Sequence, residues 1–429
     1  MADNPMISEI GEWLISQALD EPDIVDMFAE VCERLYAAGV PLARARLTWP
    51  TLHPLFQAET ILWYRGEAPE LEQFRHQNER SEEWFRSPMY YMLEHGVDML
   101  RRHLDGPNKL VDFPLLEELI ERGLTDYLTI RTNFERTGST EDRDKSLFGI
   151  LVAWSSDRPG GFSDDDIAAL QKIQRRIAVA AKTAIQARIA SNIVETYLGQ
   201  QAGRQVLDGA IKRGDGQETQ AVVWLSDLRD STAMADTMPP EDYFDLLNDY
   251  YECTAGSAIK HGGEVLDFIG DAVLAIFPYT CDSEFAAASK AATTALREAF
   301  QLRLVTNEER QKTNRVPIRF GVGLNTGKVM FGNIGVAERL TFSVIGPTVN
   351  EVSRIEALTK GVESHALVTR KIADVERGAW KSTGKHRLAG VSQEIELFEP
   401  VAEKPAIAAE TISAETEKPV EAEAPIVRH

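Results

Sequence analysis

Two short stretches of this sequence decide its fold: WLSDLRDST at residues 224–232 and FIGDAVLAIF at residues 268–277. Each places an aspartate in a turn beside an apolar, strand-like run. The run Ala221–Leu225 predicts a buried central strand that delivers Asp227 to its end. The β-type runs on either side of Asp271 predict a hairpin with this aspartate at its tip. If the two strands are neighbours, the two carboxylates converge.

Converging carboxylates at the end of a strand suit a divalent cation. Hard oxygen ligands that leave room for water and phosphate favour magnesium or manganese, and two such ions bind a triphosphate while activating an attacking hydroxyl. Backbone amides in the turn after Asp227 are placed to face an anion. Taken alone, each aspartate is better explained by the general preference of acids for turns.

A third stretch, GPTVNEVSR at residues 346–354, places Asn350 and Arg354 one helical turn apart, so both project from one face. Spacing alone also fits a purely structural role, with Asn350 as a helix cap and Arg354 paired with a local acid such as Glu351. The order of the three stretches along the chain is more informative than any one of them.

In that order and chemistry, the three stretches resemble the catalytic domain of class III nucleotidyl cyclases, the adenylate and guanylate cyclases. The resemblance spans residues 219–400 and implies a ferredoxin-like α/β (α+β) core. The glycine-rich segments 321–327 and 331–335 match the family's paired glycine-rich strands, where glycine is expected to permit close backbone packing.

The resemblance also implies roles for individual residues. Two metal ions, Mg²⁺ or Mn²⁺, are expected on Asp227, the backbone carbonyl of Leu228, and Asp271. The resemblance further implies that the 3′-hydroxyl attacks the α-phosphate and expels pyrophosphate, with Asn350 orienting the ribose and Arg354 neutralising charge on the α-phosphate. The amides of the following residues are expected to cradle the β- and γ-phosphates: Arg229, Asp230, Ser231 and Thr232.

The residues that would read the purine depart from the pattern of adenylate cyclases. Asp267 stands where those enzymes have a lysine, and Ser343 where they have an aspartate or threonine. Because Asp267 alternates in phase with Val265 and Asp271, it is expected to share a face with the metal ligand. An acid accepts hydrogen bonds from guanine but donates none to adenine. Ala389 replaces a basic residue that the family often uses for the terminal phosphates, and Arg387 or Lys385 is a candidate substitute.

The first 185 residues predict a separate sensor domain. A helix is expected from Asp23 to Ala38, strands at 45–49, 60–64 and 147–154, and a long closing helix capped by Ser163. This order, with GFSDDD before the last helix, resembles a GAF-type α/β domain. Trp63, Tyr90 and Tyr91 are interpreted either as core or as the lining of a pocket.

The remaining boundaries follow from helical periodicity and composition. The closing helix is expected to continue to Tyr197 in a helical connector over residues 186–218, which either pairs with a second chain or packs on its own domain. A polar, glycine-containing break occurs at 213–218. Residues 401–429 are rich in Ala, Glu, Pro and Lys and predict a disordered tail.

Composition excludes several classes of function. A formal net charge of −21 opposes binding to a nucleic-acid backbone. No apolar stretch approaches the roughly 20 residues of a membrane span, and the N-terminus has no basic leader. Three widely separated cysteines fit no paired metal site and indicate a reducing compartment. Together, these features predict a cytoplasmic location.

The sequence therefore predicts an adenylate cyclase that converts ATP to 3′,5′-cyclic AMP and pyrophosphate in signal transduction. Because the chain carries both the aspartates and the Asn-Arg pair, which this family contributes from different subunits, a homodimer with two shared sites is expected. Two alternatives stay open: a guanylate cyclase that makes cyclic GMP, and an idle domain that binds nucleotide for regulation.

Overall fold

The computed structural model describes residues 5–20, 22–76, 81–134, 149–336, 338–391 and 393–401. The chain divides into two compact units, one comprising the described residues up to Ile193 and one beginning at Val194. No described helix combines the length and apolar composition needed to cross a bilayer. Of the predicted tail, residues 402–429 lie outside the described residues.

The N-terminal unit alternates helices with the strands of one sheet. Its elements in chain order are α1 (Pro5–Gln17), α2 (Ile24–Ala37), β1 (Arg44–Pro50), β2 (Phe56–Tyr64), β3 (Glu70–Arg75), α3 (Glu82–Phe85), α4 (Pro88–Glu94), β4 (Met99–His103), α5 (Pro114–Glu121), β5 (Asp126–Asn133), β6 (Gly149–Ser156) and α6 (Asp164–Leu198), which ends beyond this unit.

The six strands form an antiparallel sheet in the order β3-β2-β1-β6-β5-β4. One face buries Trp49, Trp63 and Trp154 against the apolar sides of α1, α2 and α6. The opposite face contacts a second apolar cluster that includes Met92 of α4 and Leu116 of α5. The sheet therefore separates two layers.

Several local predictions for this unit are confirmed. Helix α2 begins after Asp23, whose carboxylate accepts from the amides of Val25 and Asp26. The strands expected at 45–49 and 60–64 are β1 and β2, and Trp63 belongs to the core. In the strand expected at 147–154, residues 147 and 148 lie outside the described residues. The Ser163 hydroxyl accepts from the Asp166 amide at 3.2 Å, which caps α6.

The C-terminal unit is built on a second, larger sheet. Its elements, after the end of α6, are α7 (Gln200–Leu207), β7 (Gly216–Leu228), α8 (Ser231–Thr237), α9 (Pro240–Tyr251), α10 (Ser257–Lys260), β8 (Glu264–Ile269), β9 (Ala272–Tyr279), α11 (Asp282–Lys312), β10 (Phe320–Val336), β11 (Arg339–Ile345), α12 (Pro347–Leu358), β12 (Ala366–Thr369), α13 (Arg370–Ala373), β13 (Trp380–His386) and β14 (Ile395–Pro400).

The strand order is β13-β14-β12-β10-β7-β9-β8, with β11 paired to β10. Strand β7 lies between β10 and β9, and its residues Ala221–Trp224 are fully buried. Gly270 and Asp271 connect β8 to β9. The predictions of a buried central strand and of a hairpin with Asp271 at its tip are both confirmed.

The prediction of two separate glycine-rich strands is wrong, because residues 321–327 and 331–335 belong to the single strand β10. This strand stays paired with β7 from Phe320 to Gly332. A Cβ on Gly332 would lie 2.4 Å from the Asp215 carbonyl oxygen, and one on Gly323 would lie 2.8 Å from the Glu356 nitrogen. The expected close backbone packing is therefore confirmed.

Candidate active site

The end of β7 and the β8–β9 hairpin bring two carboxyl groups together. Asp227 is opposite Ala272 in the β7–β9 ladder, so the preceding residue, Asp271, lies beside it. The Leu228 amide donates to the Asp271 carbonyl at 3.3 Å, which holds the hairpin tip against the end of β7. Leu228 is buried with its side chain in the core, so only its backbone is available as a ligand.

The Asp227 carboxyl group lies in an unusually negative environment. Burial first, and then the charges of Glu356 and Asp271, raise its pKa from 3.8 to about 6, against the opposing effect of Arg229. Carboxylates that repel each other at a half-buried site fit a divalent cation, which would neutralise them. No group of three or more His, Cys, Asp or Glu side chains able to hold a metal occurs in the described ranges. Backbone oxygen, water and substrate would have to complete the coordination.

The turn after β7 presents fewer amides than the sequence suggests. The Arg229 amide donates to the Arg319 carbonyl at 2.7 Å, so it is unavailable to a phosphate. Asp230 has a left-handed backbone (φ 62°), and its carboxylate pairs with Arg319 at 2.6 Å. Ser231 and Thr232 begin α8, where helix amides have no intrahelical acceptor. The predicted cradle is therefore reduced to residues 230–232.

A link between this turn and α12 was not foreseen from the sequence. The Arg229 guanidinium lies 2.8 Å from the Glu356 carboxylate and 3.8 Å from that of Asp227. It also donates to the Thr359 hydroxyl. Glu356 is only 5% exposed. An acid on the buried face of an amphipathic helix requires a partner, and this was the available signal in the sequence.

Asn350 and Arg354 do not join the aspartates within one chain. Asn350 is exposed and Arg354 is half-buried on α12, with Arg354 Nη2 next to Gly390. At about 100° per residue, Arg354 and Glu356 lie about 200° apart around the helix. Glu356 faces the Asp227 side, so Arg354 faces away from it. In the described part of the chain no hydrogen bond or ion pair connects Asn350 or Arg354 to Asp227 or Asp271.

The two candidate purine-reading residues lie on β8 and β11, strands that contact each other. The expected phase between Val265 and Asp267 is broken by a bulge, in which Val265 pairs with Ala275 and Asp267 with Leu274. Asp267 nevertheless lies on the same sheet face as Asp227, since Leu274 pairs with Leu225. Ser343 is buried opposite Gly332, and no hydrogen bond joins it to Asp267 among the described residues.

Tyr251, at the end of α9, is a further residue that sequence reasoning missed. Its hydroxyl donates to the Gly270 carbonyl at 2.6 Å, and its ring packs on Phe268 with centroids 4.6 Å apart. A π-helical turn, Glu252–Gly256, follows directly. Tyr251 thus supports the hairpin tip that carries Asp271.

Comparison with known proteins finds a similarity over the part of the chain that carries this site. Residues 216–394 match the model of the adenylate and guanylate cyclase catalytic domain. An uncharacterised protein of Mycobacterium tuberculosis is 32% identical over 223 residues, covering 48% of this chain and 38% of that protein. An adenylate cyclase of Anabaena cylindrica is 31% identical over 162 residues, covering 38% of this chain and 32% of that protein.

The crystal structure of the adenylyl cyclase CyaB from P. aeruginosa is 24% identical, with a TM-score of 0.39, and the match covers 44% of this chain and 97% of CyaB. This chain spans 38% or less of the length of the two relatives above. The match to the family model is confined to the unit that carries Asp227 and Asp271. Residues 216–394 are therefore similar to the catalytic domain of adenylate and guanylate cyclases.

Proposed function

We propose that the C-terminal unit converts ATP to 3′,5′-cyclic AMP and pyrophosphate. The observation that carries this proposal is the convergence of the Asp227 and Asp271 carboxylates at the end of β7, inside the region that matches the cyclase family. The raised pKa of Asp227 adds support, because a site with excess negative charge favours a bound cation.

The proposal assigns a role to each of the following site residues. Asp227, Asp271 and the Leu228 carbonyl would hold Mg²⁺ or Mn²⁺. The bound ions would supply activation of the 3′-hydroxyl and neutralisation of the triphosphate. The amides of residues 230–232 would position the β- and γ-phosphates, since they open the helix α8. Asn350 would orient the ribose, and Arg354 would offset charge on the α-phosphate as pyrophosphate leaves.

The site is proposed to be completed by a second copy of this chain. Arg354 faces away from the aspartates of its own chain, and exposed Asn350 has no hydrogen bond to them among the described residues. A symmetric pair would place both against the partner's aspartates. Large apolar side chains are exposed on the β8–β9 hairpin and on the β10–β11 hairpin: Phe268, Ile269, Ile334, Val336 and Ile345. Exposed apolar groups of this kind mark interaction surfaces.

One observation favours GTP as an alternative substrate. Asp267 shares a sheet face with Asp227, and an acid accepts from guanine N1–H and the 2-amino group. We further propose that residues 1–185 are a GAF-like sensor domain, supported by the antiparallel sheet and its closing helix α6. Residues 186–218 are proposed as the connector.

Product analysis tests the activity. The full chain is incubated with ATP or GTP and Mn²⁺, and products are identified by mass spectrometry, with Asp227→Ala as control. Cyclic AMP that is formed by the wild type and not by Asp227→Ala supports the first proposal. Cyclic GMP would instead support the alternative, with Asp267 and Ser343 as the residues that recognise the purine. Neither product from a folded dimer would reject catalysis and favour a regulatory nucleotide-binding domain.

A further inference from the structure

The N-terminal unit places two arginines on one face of its sheet, Arg44 buried and Arg46 half-buried. Arg44 and Arg46 alternate along β1 with Ala45 and Leu47, which pack in the core with α1, α2 and α6. The arginines therefore face the other layer, where α4 and α5 cover the sheet. Arg44 is only 4% exposed.

Polar groups from the neighbouring strands share this face. Arg44 lies opposite Tyr64 of β2 and Ser155 of β6, and Ser155 lies opposite Tyr127 of β5. Ser155 is fully buried and Tyr127 is 3% exposed. The buried atoms on this face that lack a hydrogen-bond partner among the described residues include Arg44 Nη1, Arg46 Nε and Ser155 Oγ.

The charge on this face is not balanced by acids. Arginines of β4 and β5, in the same sheet, are each paired: Arg101 with Asp126, Arg102 with Asp112, and Arg131 with Asp98. Among the described residues, Arg44 has no ion pair with a carboxylate. Arg46 has Glu72 at 3.7 Å, which keeps 31% of its side-chain exposure.

A third arginine, Arg122, contacts the same face of the sheet through Tyr64. Arg122 donates to the Tyr64 hydroxyl at 2.6 Å, and Arg44 Nε donates to the same oxygen at 3.2 Å. Burial, followed by the charge of Arg44, lowers the pKa of Arg46. Of these three guanidinium groups, only that of Arg46 has an ion pair with a carboxylate among the described residues.

An uncompensated buried charge is costly, and an anion that accepts charge-assisted hydrogen bonds from a guanidinium offsets that cost. We propose that this face, bounded by Arg44, Arg46, Ser155 and Tyr64, binds a small molecule through an oxyanion, either a carboxylate or a phosphate. The ligand enters beside Arg46, whose side chain keeps 25% of its exposure. The Ser155 hydroxyl donates a further hydrogen bond to the anion.

Hydrogen exchange on the full chain locates such a site. The probes are inorganic phosphate and benzoate, with chloride as reference at equal ionic strength. Benzoate is chosen because Ala153, opposite Arg46, is apolar. Saturable protection of residues 44–50 and 149–156 by phosphate or by benzoate supports the proposal and identifies the oxyanion class. No saturable protection by either probe overturns it.

Matched variants separate this site from anion binding elsewhere in the chain. Arg44→Met removes an unpaired charge, so we expect it to abolish the protection while keeping or raising the unfolding temperature in chloride. Arg188→Met is the control, since Arg188 is paired with Glu59 in the other layer of the same unit. Arg188→Met should lower the unfolding temperature and keep the protection of residues 44–50 and 149–156 by the anion.

Arg46→Gln, at the exposed edge, gives a second test if Arg44→Met does not fold. We expect it to weaken protection by phosphate or benzoate at least tenfold in concentration. Protection that survives unchanged in Arg46→Gln, or that is lost equally in Arg188→Met, contradicts the proposal.

Discussion

At the scale of single residues, three carboxyl groups and one guanidinium group share the end of β7. Asp227 contacts Asp271, and the charge of Glu356 adds to theirs. Arg229 lies between Asp227 and Glu356 and offsets part of this charge. If the proposed function holds, this balance predicts a site that responds both to protons and to divalent cations.

The raised pKa of Asp227 predicts how the metal-free protein responds to pH. The folded state holds a proton on Asp227 up to about pH 6, whereas the unfolded chain releases it near 3.8. Stability from this group is therefore present at low pH and is lost as pH rises through that window. Without divalent cation, the unfolding temperature of the wild type should fall relative to Asp227→Asn between about pH 4 and pH 7.

Thermal unfolding of both proteins across this range, with and without Mn²⁺, provides the measurement. Mn²⁺ should restore wild-type stability near neutral pH, because the cation replaces the proton. Parallel pH profiles for the wild type and Asp227→Asn would show that Asp227 does not titrate in this window.

Glu356→Gln tests the link between Arg229 and α12. Losing this acid removes negative charge near Asp227 and frees Arg229 to pair with Asp227, so the site should bind cations less tightly. We expect the Mn²⁺ concentration for half-maximal stabilisation to rise about tenfold, equivalent to about 1.4 kcal/mol. Mn²⁺ titrations followed by unfolding temperature and by product formation measure it.

The matched control is Glu376→Gln, which breaks the pair with Arg297 in the same unit, away from the site. It should cost stability without changing the Mn²⁺ requirement. Equal Mn²⁺ midpoints for wild type and Glu356→Gln would exclude a role of Glu356 in the metal site.

At the scale of elements, a helix end fixes the tip of a hairpin. Tyr251 closes α9, and the π-helical turn after it interrupts the regular helix. Insertions of this type occur often at functional sites. The Tyr251 hydroxyl and ring both hold the residues just before Asp271.

Tyr251→Phe is therefore expected to lower kcat severalfold at saturating Mn²⁺ while costing about 1 kcal/mol of stability or less. Tyr279→Phe is the control. The Tyr279 hydroxyl also forms hydrogen bonds, but with Gln220 and Thr326 and not with the hairpin tip around Asp271. Kinetics and unfolding of the two variants are compared. A similar kcat loss in both would assign the effect to general stability.

At the scale of the whole molecule, the two halves of the proposed site lie on different faces of one unit. Asp227 and Asp271 are at the end of β7, and Arg354 lies on the opposite side of α12 from Glu356. One chain alone therefore does not surround a nucleotide with all four residues. A pair of chains related by a two-fold axis would do so twice.

Mixing inactive variants tests this arrangement. Asp271→Ala and Arg354→Ala chains are each expected to lose activity by about 10²-fold or more. Co-expressed heterodimers should recover up to one working site per pair, measured as product formed per heterodimer isolated with two different tags. Heterodimers that form but stay inactive would reject a shared site.

The sequence by itself determined the features that depend on neighbouring residues. Apolar alternation and turn chemistry predicted β7, the hairpin around Asp271 and the Ser163 cap of α6, because such elements are set by local periodicity and by short-range hydrogen bonds. The close approach of Asp227 and Asp271 followed from placing the two strands next to each other.

Only the tertiary structure decided the contacts between residues distant in the chain. The Arg229–Glu356 pair joins residues on β7's turn and α12, Tyr251 reaches the hairpin from α9, and the bulge at Leu266 sets the face of Asp267. Likewise, nothing in the local sequence distinguishes Arg44 from any other strand residue. Its burial without a paired carboxylate is visible only in the tertiary structure. Partner, burial and register depend on how the elements pack, and no local pattern contains that information.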